Sequence, residues 1–272
     1  PKLARNHVVT VGQSSPGNQT DFETIQQALD WVTYYQSQIS TLKRPEVEIV
    51  IVGAIDLTGT PITLRSEYSG LTVRGVRFSE SSTFSDGTLS SNAGESRIIW
   101  GGSDAGVNKL FVWPTTATGH FGTIHFKDLT FVLNCSAGSA SLCNIESPTG
   151  LVRELAFEEC TFPLLAASTI KTQSVFYGLA STTRRSFRMD KCRVVQTGNA
   201  GSIPIYGLGN VARGRISRCE FYHPTTASSW CYVSAGNWTI EDCTFTGIAT
   251  AIAAAGTSAM KVSHCDFFGM TT

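Results

Sequence analysis

The chain has 272 residues, 42% of them apolar, with 21 Lys+Arg against 21 Asp+Glu and a formal net charge of zero. That balance supplies no bulk field to draw in nucleic acid or an anionic membrane surface, and no apolar run reaches the roughly 18 residues that a membrane-spanning helix needs. The length suffices for a large core in one elongated domain.

Residues 1–20 are polar, contain Gly and Pro, and read as a leading arm. Thr20 with Glu23 makes a capping box. Phe22, Ile25, Ala28, Leu29 and Val32 follow at helical spacing, which predicts an amphipathic helix over 21–39. Its expected role is to cap the first strands, whose edge would otherwise carry unpaired backbone groups. Residues 21–272 are expected to form one domain. Within it 47–57 make the first buried strand, 62–78 one or two more, and Ile98, Ile99 and Trp100 another. The Ser-, Thr- and Gly-rich stretch 79–94 is a surface excursion.

From Lys109 the pattern turns regular. Its clearest copy is Asn237-Trp238-Thr239-Ile240-Glu241-Asp242-Cys243-Thr244-Phe245: apolar-x-apolar, two polar residues, Cys, one polar residue, Phe. The same order recurs over 124–131, 155–162, 187–194, 214–221 and 260–267. Leu129, Cys160, Cys192, Cys219, Cys243 and Cys265 fill the column after the polar pair, in steps of 31, 32, 27, 24 and 22 residues. Alternation with period two makes each half of the motif a short strand with one face inward. The polar pair shifts the inward phase by one, so the chain must bend there to keep both apolar sets inside. A strand–bend–strand unit this short cannot bury its own apolar face and must stack on its neighbours. Helical repeats would need a 3.6-residue period that is missing, and propeller blades want longer four-stranded units. The fold read from the pattern is therefore all-β: a parallel β-helix of about seven rungs over 47–268, with an N-terminal capping helix.

Each regular rung also carries a third strand upstream of the motif, at 109–113, 141–145, 174–178, 202–206, 229–233 and 250–254. These segments are apolar on both faces. One face belongs to the core, and the other, carrying a set such as Val112, Tyr177, Ile205, Trp230 and Tyr232, is expected to be exposed. An exposed apolar sheet of that size implies a partner. A loop or the arm could cover it, subunits could pack there around a threefold axis, or it could be an aromatic platform for sugars.

The repeat, preceded by the helix, the apolar strand at 47–53 and a first rung at 70–75, resembles the right-handed parallel β-helix of the pectin-lyase-like superfamily. That superfamily includes pectin-modifying enzymes and bacteriophage tailspike, head-spike and fibre proteins, and the likeness covers nearly the whole chain. It implies a homotrimeric virion spike or fibre component, assembled in the host cytoplasm, that binds a bacterial surface glycan. The alternatives it leaves open are a polysaccharide depolymerase (lyase or glycoside hydrolase) and a secreted cell-wall-modifying enzyme. The superfamily's enzyme motifs are incomplete here. Arg215-Ile216-Ser217 and Gly119-His120-Phe121 lack an accompanying Asp-Asp pair, the methylesterase-like Gln-Ala-Val-Ala segment is missing, and the acids are too dispersed for a calcium cluster. No cofactor is implied, and one fold hosts many activities.

Candidate site residues come from the bend columns and from a local basic excess. Asp128 with Glu159, and Glu158 with Asp190, should lie on adjacent rungs about 4.8 Å apart, a separation that suits a retaining carboxylate pair. The same columns carry Lys127, Lys191 and Arg218, so ion-pair ladders on a solvated edge are the plainer reading. Between 184 and 218 lie Arg184, Arg185, Arg188, Lys191, Arg193, Arg213, Arg215 and Arg218 against the single acid Asp190. Arg188 and Arg215 should stack on consecutive rungs, which is unfavourable for like charges unless anions lie between them. Pairing with Glu154, Glu158, Glu159 and Glu220 is the plain account. The functional one is an anionic glycan read by guanidinium forks, with Arg188, Arg215, Arg193, Arg218, Trp230, Tyr232 and Tyr177 as glycan-binding candidates. The lack of net positive charge argues against nucleic acid. The column cysteines read as reduced core thiols, packed as small hydrophobes, which suits a reducing compartment. The histidines His7, His120, His125, His223 and His264 show no metal-ligand spacing.

Overall fold

The structure is a computed structural model that describes residues 8–12, 20–38, 46–64, 70–76, 96–100, 107–112, 120–135, 139–145, 151–166, 172–178, 185–196, 205–207, 211–233, 236–254 and 259–269. The excursion at 79–94, the Arg184 side of the basic run, and the helix end at 39 lie outside them. One helix, α1 (Ile25–Ser37), follows the first strand, β1 (Val8–Val11). Four irregular strands come next: β2 (Val47–Ile51), β3 (Ala54–Asp56), β4 (Ile62–Thr63) and β5 (Gly70–Gly75). Then come β6 (Arg97–Trp100), β7 (Val107–Val112), β8 (His120–Lys127), β9 (Thr130–Cys135), β10 (Ser139–Ile145), β11 (Leu151–Glu158), β12 (Thr161–Ala166) and β13 (Thr172–Gly178). The remainder are β14 (Arg185–Asp190), β15 (Arg193–Gln196), β16 (Ile205–Gly207), β17 (Val211–Ser217), β18 (Glu220–Val233), β19 (Asn237–Glu241), β20 (Thr244–Ala254), β21 (Ala259–Ser263) and β22 (Asp266–Phe268).

Among the described residues every strand pairing is parallel. The first halves of the motif make a nine-stranded sheet in the order β1-β2-β5-β8-β11-β14-β17-β19-β21. The second halves and the upstream strands make a thirteen-stranded sheet in which the long β18 and β20 carry one set into the other. Among the described residues the chain is therefore predominantly β, with all-parallel sheets and one helix, an arrangement compatible with a parallel β-helix.

The polar pair bends the chain as its phase shift requires. Asp128, Glu159, Lys191, Arg218, Asp242 and His264, the second residue of each pair, all adopt the left-handed conformation, with φ between 49 and 55°. A non-glycine residue there costs about 1 kcal/mol or more. The bend offsets that cost by placing its N–H under the next rung: Asp128 N donates to Glu158 O at 3.1 Å, Glu159 N to Asp190 O at 3.0 Å, Lys191 N to Ser217 O at 3.0 Å, Arg218 N to Glu241 O at 3.0 Å and Asp242 N to Ser263 O at 3.1 Å.

Inside, the motif residues stack in files. Phe126 lies on Phe157 with ring centroids 5.2 Å apart, Phe131 on Phe162 at 5.6 Å, and Phe221 on Phe245 at 4.9 Å. The two phenylalanine files meet edge to face, as between Phe126 and Phe131. Cys160, Cys192, Cys219 and Cys243 are buried and free, Cys265 is half-buried, and all five sit on successive rungs. Each thiol donates to the carbonyl two residues earlier, from Cys160 to Glu158 O at 3.3 Å through Cys265 to Ser263 O at 3.3 Å. Trp238 faces Gly214 across the strand pair and reaches beyond it to Phe187, at 6.0 Å.

Three local expectations differ from the structure. The helix begins at Ile25 rather than 21, and its capping box is Thr24 with Gln27 instead of Thr20 with Glu23. The cause is backbone pairing: Phe22 N donates to Thr10 O and Gly12 N to Phe22 O, which holds 21–24 extended. The Thr20 hydroxyl donates instead to Gly12 O at 2.8 Å. The arm itself contributes β1, paired along its length with β2. The third-strand alignment slips by one residue at 202–206, because Phe176 pairs with Ile205, and Ile205 with Cys231. Ile205 thus shares the register column of the buried Phe111, while Tyr177, Tyr206 and Tyr232 share another.

Candidate functional site

The outer face of the nine-stranded sheet collects most of the candidate side chains. Inward positions of β8, β11, β14, β17, β19 and β21 are taken by the core, so the alternating positions must face out. Strand register sorts them into columns. One runs His125, Ala156, Arg188, Arg215, Thr239, Lys261, and its neighbour runs Lys127, Glu158, Asp190, Ser217, Glu241, Ser263. Arg188 and Arg215 are direct neighbours on consecutive strands, as the repeat spacing predicts. Glu158 and Asp190 are likewise adjacent, and Asp128 and Glu159 occupy successive bends.

These groups form a ladder of ion pairs between rungs. Lys127 Nζ lies 3.3 Å from Glu158 Oε1, and His125 Nε2 lies 3.2 Å from Glu158 Oε2, so one carboxylate sits between two cationic or donor groups. Lys191 Nζ donates to Glu159 Oε1 at 3.1 Å. Arg188 Nε stands 3.9 Å from Glu154 Oε1. Arg218 grips Asp190 with both Nε, at 2.9 Å, and Nη2, and the Ser217 hydroxyl donates to the same carboxylate at 2.9 Å. Arg215 donates to Glu241 Oε1 through Nε, at 2.9 Å, and Nη2. Arg193 belongs to a different surface: it follows the bend on β15 and meets Glu220 at 3.2 Å. The basic excess therefore divides between two sheets. The side chains of Trp230, Tyr232 and Tyr177 lie outside the described residues.

The ionisation of these groups follows from their partners. Burial raises the Asp190 carboxyl, but the hydrogen bonds from Arg218 and Ser217 outweigh it and hold the group below the usual carboxylate range. The hydrogen bond to Glu158 pushes Lys127 up. Burial pushes His125 down, against the opposing pull of Glu158. At neutral pH His125 is therefore a neutral imidazole beside an ionised ladder.

The heights of the partners matter for what the face can do. Arg218 is 55% exposed over an Asp190 that is 13% exposed, and Arg215 is 60% exposed over a Glu241 that is 23% exposed. The carboxylates lie low and the guanidinium groups lie over them. In both arginines the contacts to the carboxylate run through Nε and Nη2. Arg213, also exposed, flanks this column between Ser186 and Asn237, and Lys261 ends it.

Glu241 and Ser217 were not singled out from the sequence as partners of the arginines, although a 24-residue repeat step from Ser217 leads straight to Glu241. His125 was passed over because histidine alone carried no spacing signal; its position beside Glu158 emerges only from the stacking. Among the described residues no group of three His, Cys, Asp or Glu is arranged to hold a metal ion. Comparison of the chain with models of known protein families, with curated proteins and with solved structures finds no match.

Proposed function

We propose that the chain is a right-handed parallel β-helix of the pectin-lyase-like kind that serves as a virion spike or fibre component and adsorbs to an anionic bacterial surface polysaccharide. The observation that carries this reading is the guanidinium-over-carboxylate relief of the outer face, where Arg188 and Arg215 stack one rung apart beside Arg213 and Arg218. Two guanidinium groups stacked about 4.8 Å apart on neighbouring strands, with Arg213 and Arg218 beside them, suit a linear polymer bearing carboxylates or other anionic groups. Zero net charge makes such recognition depend on local hydrogen bonds instead of a long-range field.

The competing reading is a depolymerase of the same fold. Glu158 and Asp190, its best carboxylates, are each tied to a cation, and a carboxylate held ionised by Arg218 is poorly placed to act as general acid. That favours binding over cleavage.

A glycan array tests the proposal. Binding to uronate-bearing polysaccharides should fall at least about tenfold in Arg188→Ala/Arg215→Ala, since each charge-assisted contact contributes about 1.5–3 kcal/mol. Undiminished binding to an acidic glycan by the double variant overturns the arginine face. New reducing ends or unsaturated uronate absorbance on the bound glycan would establish the depolymerase instead. Light scattering giving the mass of a single chain would remove the trimer.

A further inference from the structure

The inward column that follows the bends carries the same metal-ligating residue on five successive rungs. Cys160, Cys192, Cys219, Cys243 and Cys265 are all free thiols, and the first four are buried. Their sulfurs form one continuous file. Those of Cys160, Cys192, Cys219 and Cys243 lie within hydrogen-bonding reach of one another in that order, and Cys192 N donates to Cys219 Sγ at 3.4 Å. Cys265 repeats the placement one rung on: its Sγ is 3.7 Å from Ile240 O, as Cys243 Sγ is 3.8 Å from Ile216 O. Packing does not demand a thiol in this column. Leu129 fills it on the first regular rung and is buried as completely as the cysteines that follow.

We propose that the thiol file is a binding site for soft monovalent d10 cations of the Cu(I) class, each held linearly between the sulfurs of two successive rungs. Three features select that ion. The spacing of stacked rungs, about 4.8 Å, is close to twice a metal–thiolate bond of about 2.3 Å, so an ion midway between two sulfurs bonds both without displacing the backbone. Among the described residues no group of three His, Cys, Asp or Glu converges, which excludes an ion that needs tetrahedral ligation, while sulfur ligands select Cu(I) over hard cations that take oxygen. Charge decides the valence. One S–H bond breaks, its proton leaves to solvent, and the ion takes its place between that thiolate and the lone pair of the neighbouring thiol. The pair stays neutral, so no net charge is buried, and copper remains Cu(I) throughout. Each sulfur serves one ion, so the five thiols in sequence supply two neighbour pairs. The inference uses none of the residues of the glycan reading and is tested apart from it.

The test incubates the 1–272 chain under nitrogen with Cu(I), supplied as its acetonitrile complex, until the mass is constant, and counts retained ions by native mass spectrometry. Each ion should add its own mass less one proton, and X-ray absorption should show two sulfur neighbours. Two double variants separate adjacency from thiol number, since both remove two of the five thiols. Cys192→Val/Cys243→Val leaves Cys160, Cys219 and Cys265 without a neighbour on the next rung and should lose both ions. Cys160→Val/Cys265→Val leaves Cys192, Cys219 and Cys243 in sequence and should keep one of the two. Valine is chosen because Leu129 shows that the column accepts an aliphatic side chain, and slow amide exchange in β17 and β19 confirms that each variant is folded. Equal ion counts in the two double variants overturn the inference, as does a count that neither variant lowers or an ion with nitrogen or oxygen neighbours.

Discussion

Gly214→Ala is the most direct perturbation of the stacking. Glycine in a strand interior ordinarily destabilises by about 0.5–1 kcal/mol relative to alanine, and Gly214 does not have the positive φ that would exclude a side chain. On local grounds alone the substitution should stabilise. The packing predicts the opposite sign. A Cβ at Gly214 would stand 2.1 Å from Trp238 Cε3, 2.3 Å from Cδ2 and 2.4 Å from Cζ3, against the roughly 3.5–4.0 Å of an ordinary carbon contact. The indole cannot swing away freely, because it is buried and bounded by Phe187 on its far side. Overpacking of this kind costs about 1–3 kcal/mol, so Gly214→Ala should lower stability by about that amount. Trp238→Leu should be destabilising by about 3 kcal/mol through the space it opens. The two together should cost less than their sum, with a coupling of about 1–2 kcal/mol, because alanine then fills part of the gap. Urea unfolding followed by circular dichroism measures all three variants. A neutral or stabilising Gly214→Ala, or strict additivity with Trp238→Leu, would refute the register that places the indole over the glycine.

Three further outcomes follow from other parts of the molecule. At the Asp242 bend, φ 55°, Asp242→Val should cost about 1–2 kcal/mol in thermal unfolding while Asp242→Gly stays within about 0.5 kcal/mol of the parent, because only the β-branched side chain resists the left-handed conformation. Iodoacetamide labelling mapped by mass spectrometry should modify the half-buried Cys265 at least about tenfold faster than Cys160, Cys192, Cys219 or Cys243 in the folded chain, since burial keeps the reagent from those four thiols. For His125 the folded state disfavours the proton, so its contribution to stability is present above pH 6.5 and is lost as pH falls toward its depressed folded value. His125→Gln should therefore flatten the stability–pH curve just below pH 6.5, and an unchanged slope there would exclude the group.

Much of the fold was legible because its determinants repeat. Six copies of one pattern specified the pairing of six strands, β8, β11, β14, β17, β19 and β21, together with the inward thiol file and the bend required by the phase shift between the apolar halves; the left-handed conformation at each bend came only with the structure. What the sequence obscured was set by single, unrepeated contacts. The helix start moved because Phe22 entered a strand pairing with Val11, a tertiary contact that overrides the local capping signal of Thr20 and Glu23. The slip at Ile205 arose in a third strand that is apolar on both faces, where alternation cannot specify register. The candidate face was half legible. The stacking of Arg188 on Arg215 followed from repeat arithmetic, and Glu154 stood among the expected partners and meets Arg188; Glu241 did not, because Arg215 reaches diagonally across rungs to an acid outside the basic run of the sequence.

The relief of that face follows from side-chain length. When a long guanidinium on one rung meets a short carboxylate on the next, as Arg218 does over Asp190, the pair can close only with the acid near the sheet and the base above it. Repetition turns this into a surface whose charges cancel while its outer layer consists of N–H donors. Such a face presents no net attraction at a distance, since opposite charges a few ångströms apart cancel well inside the Debye length of about 8 Å at physiological salt. It acts only on an anion that arrives close enough to share a guanidinium edge. A ligand held there would lose less affinity with added salt than one held by a basic patch of the same number of arginines, because few counterions are bound to a neutral surface and few are released on contact. Zero net charge and an anion-reading face are thus compatible in one sheet, and the cross-rung ladder is the structural reason.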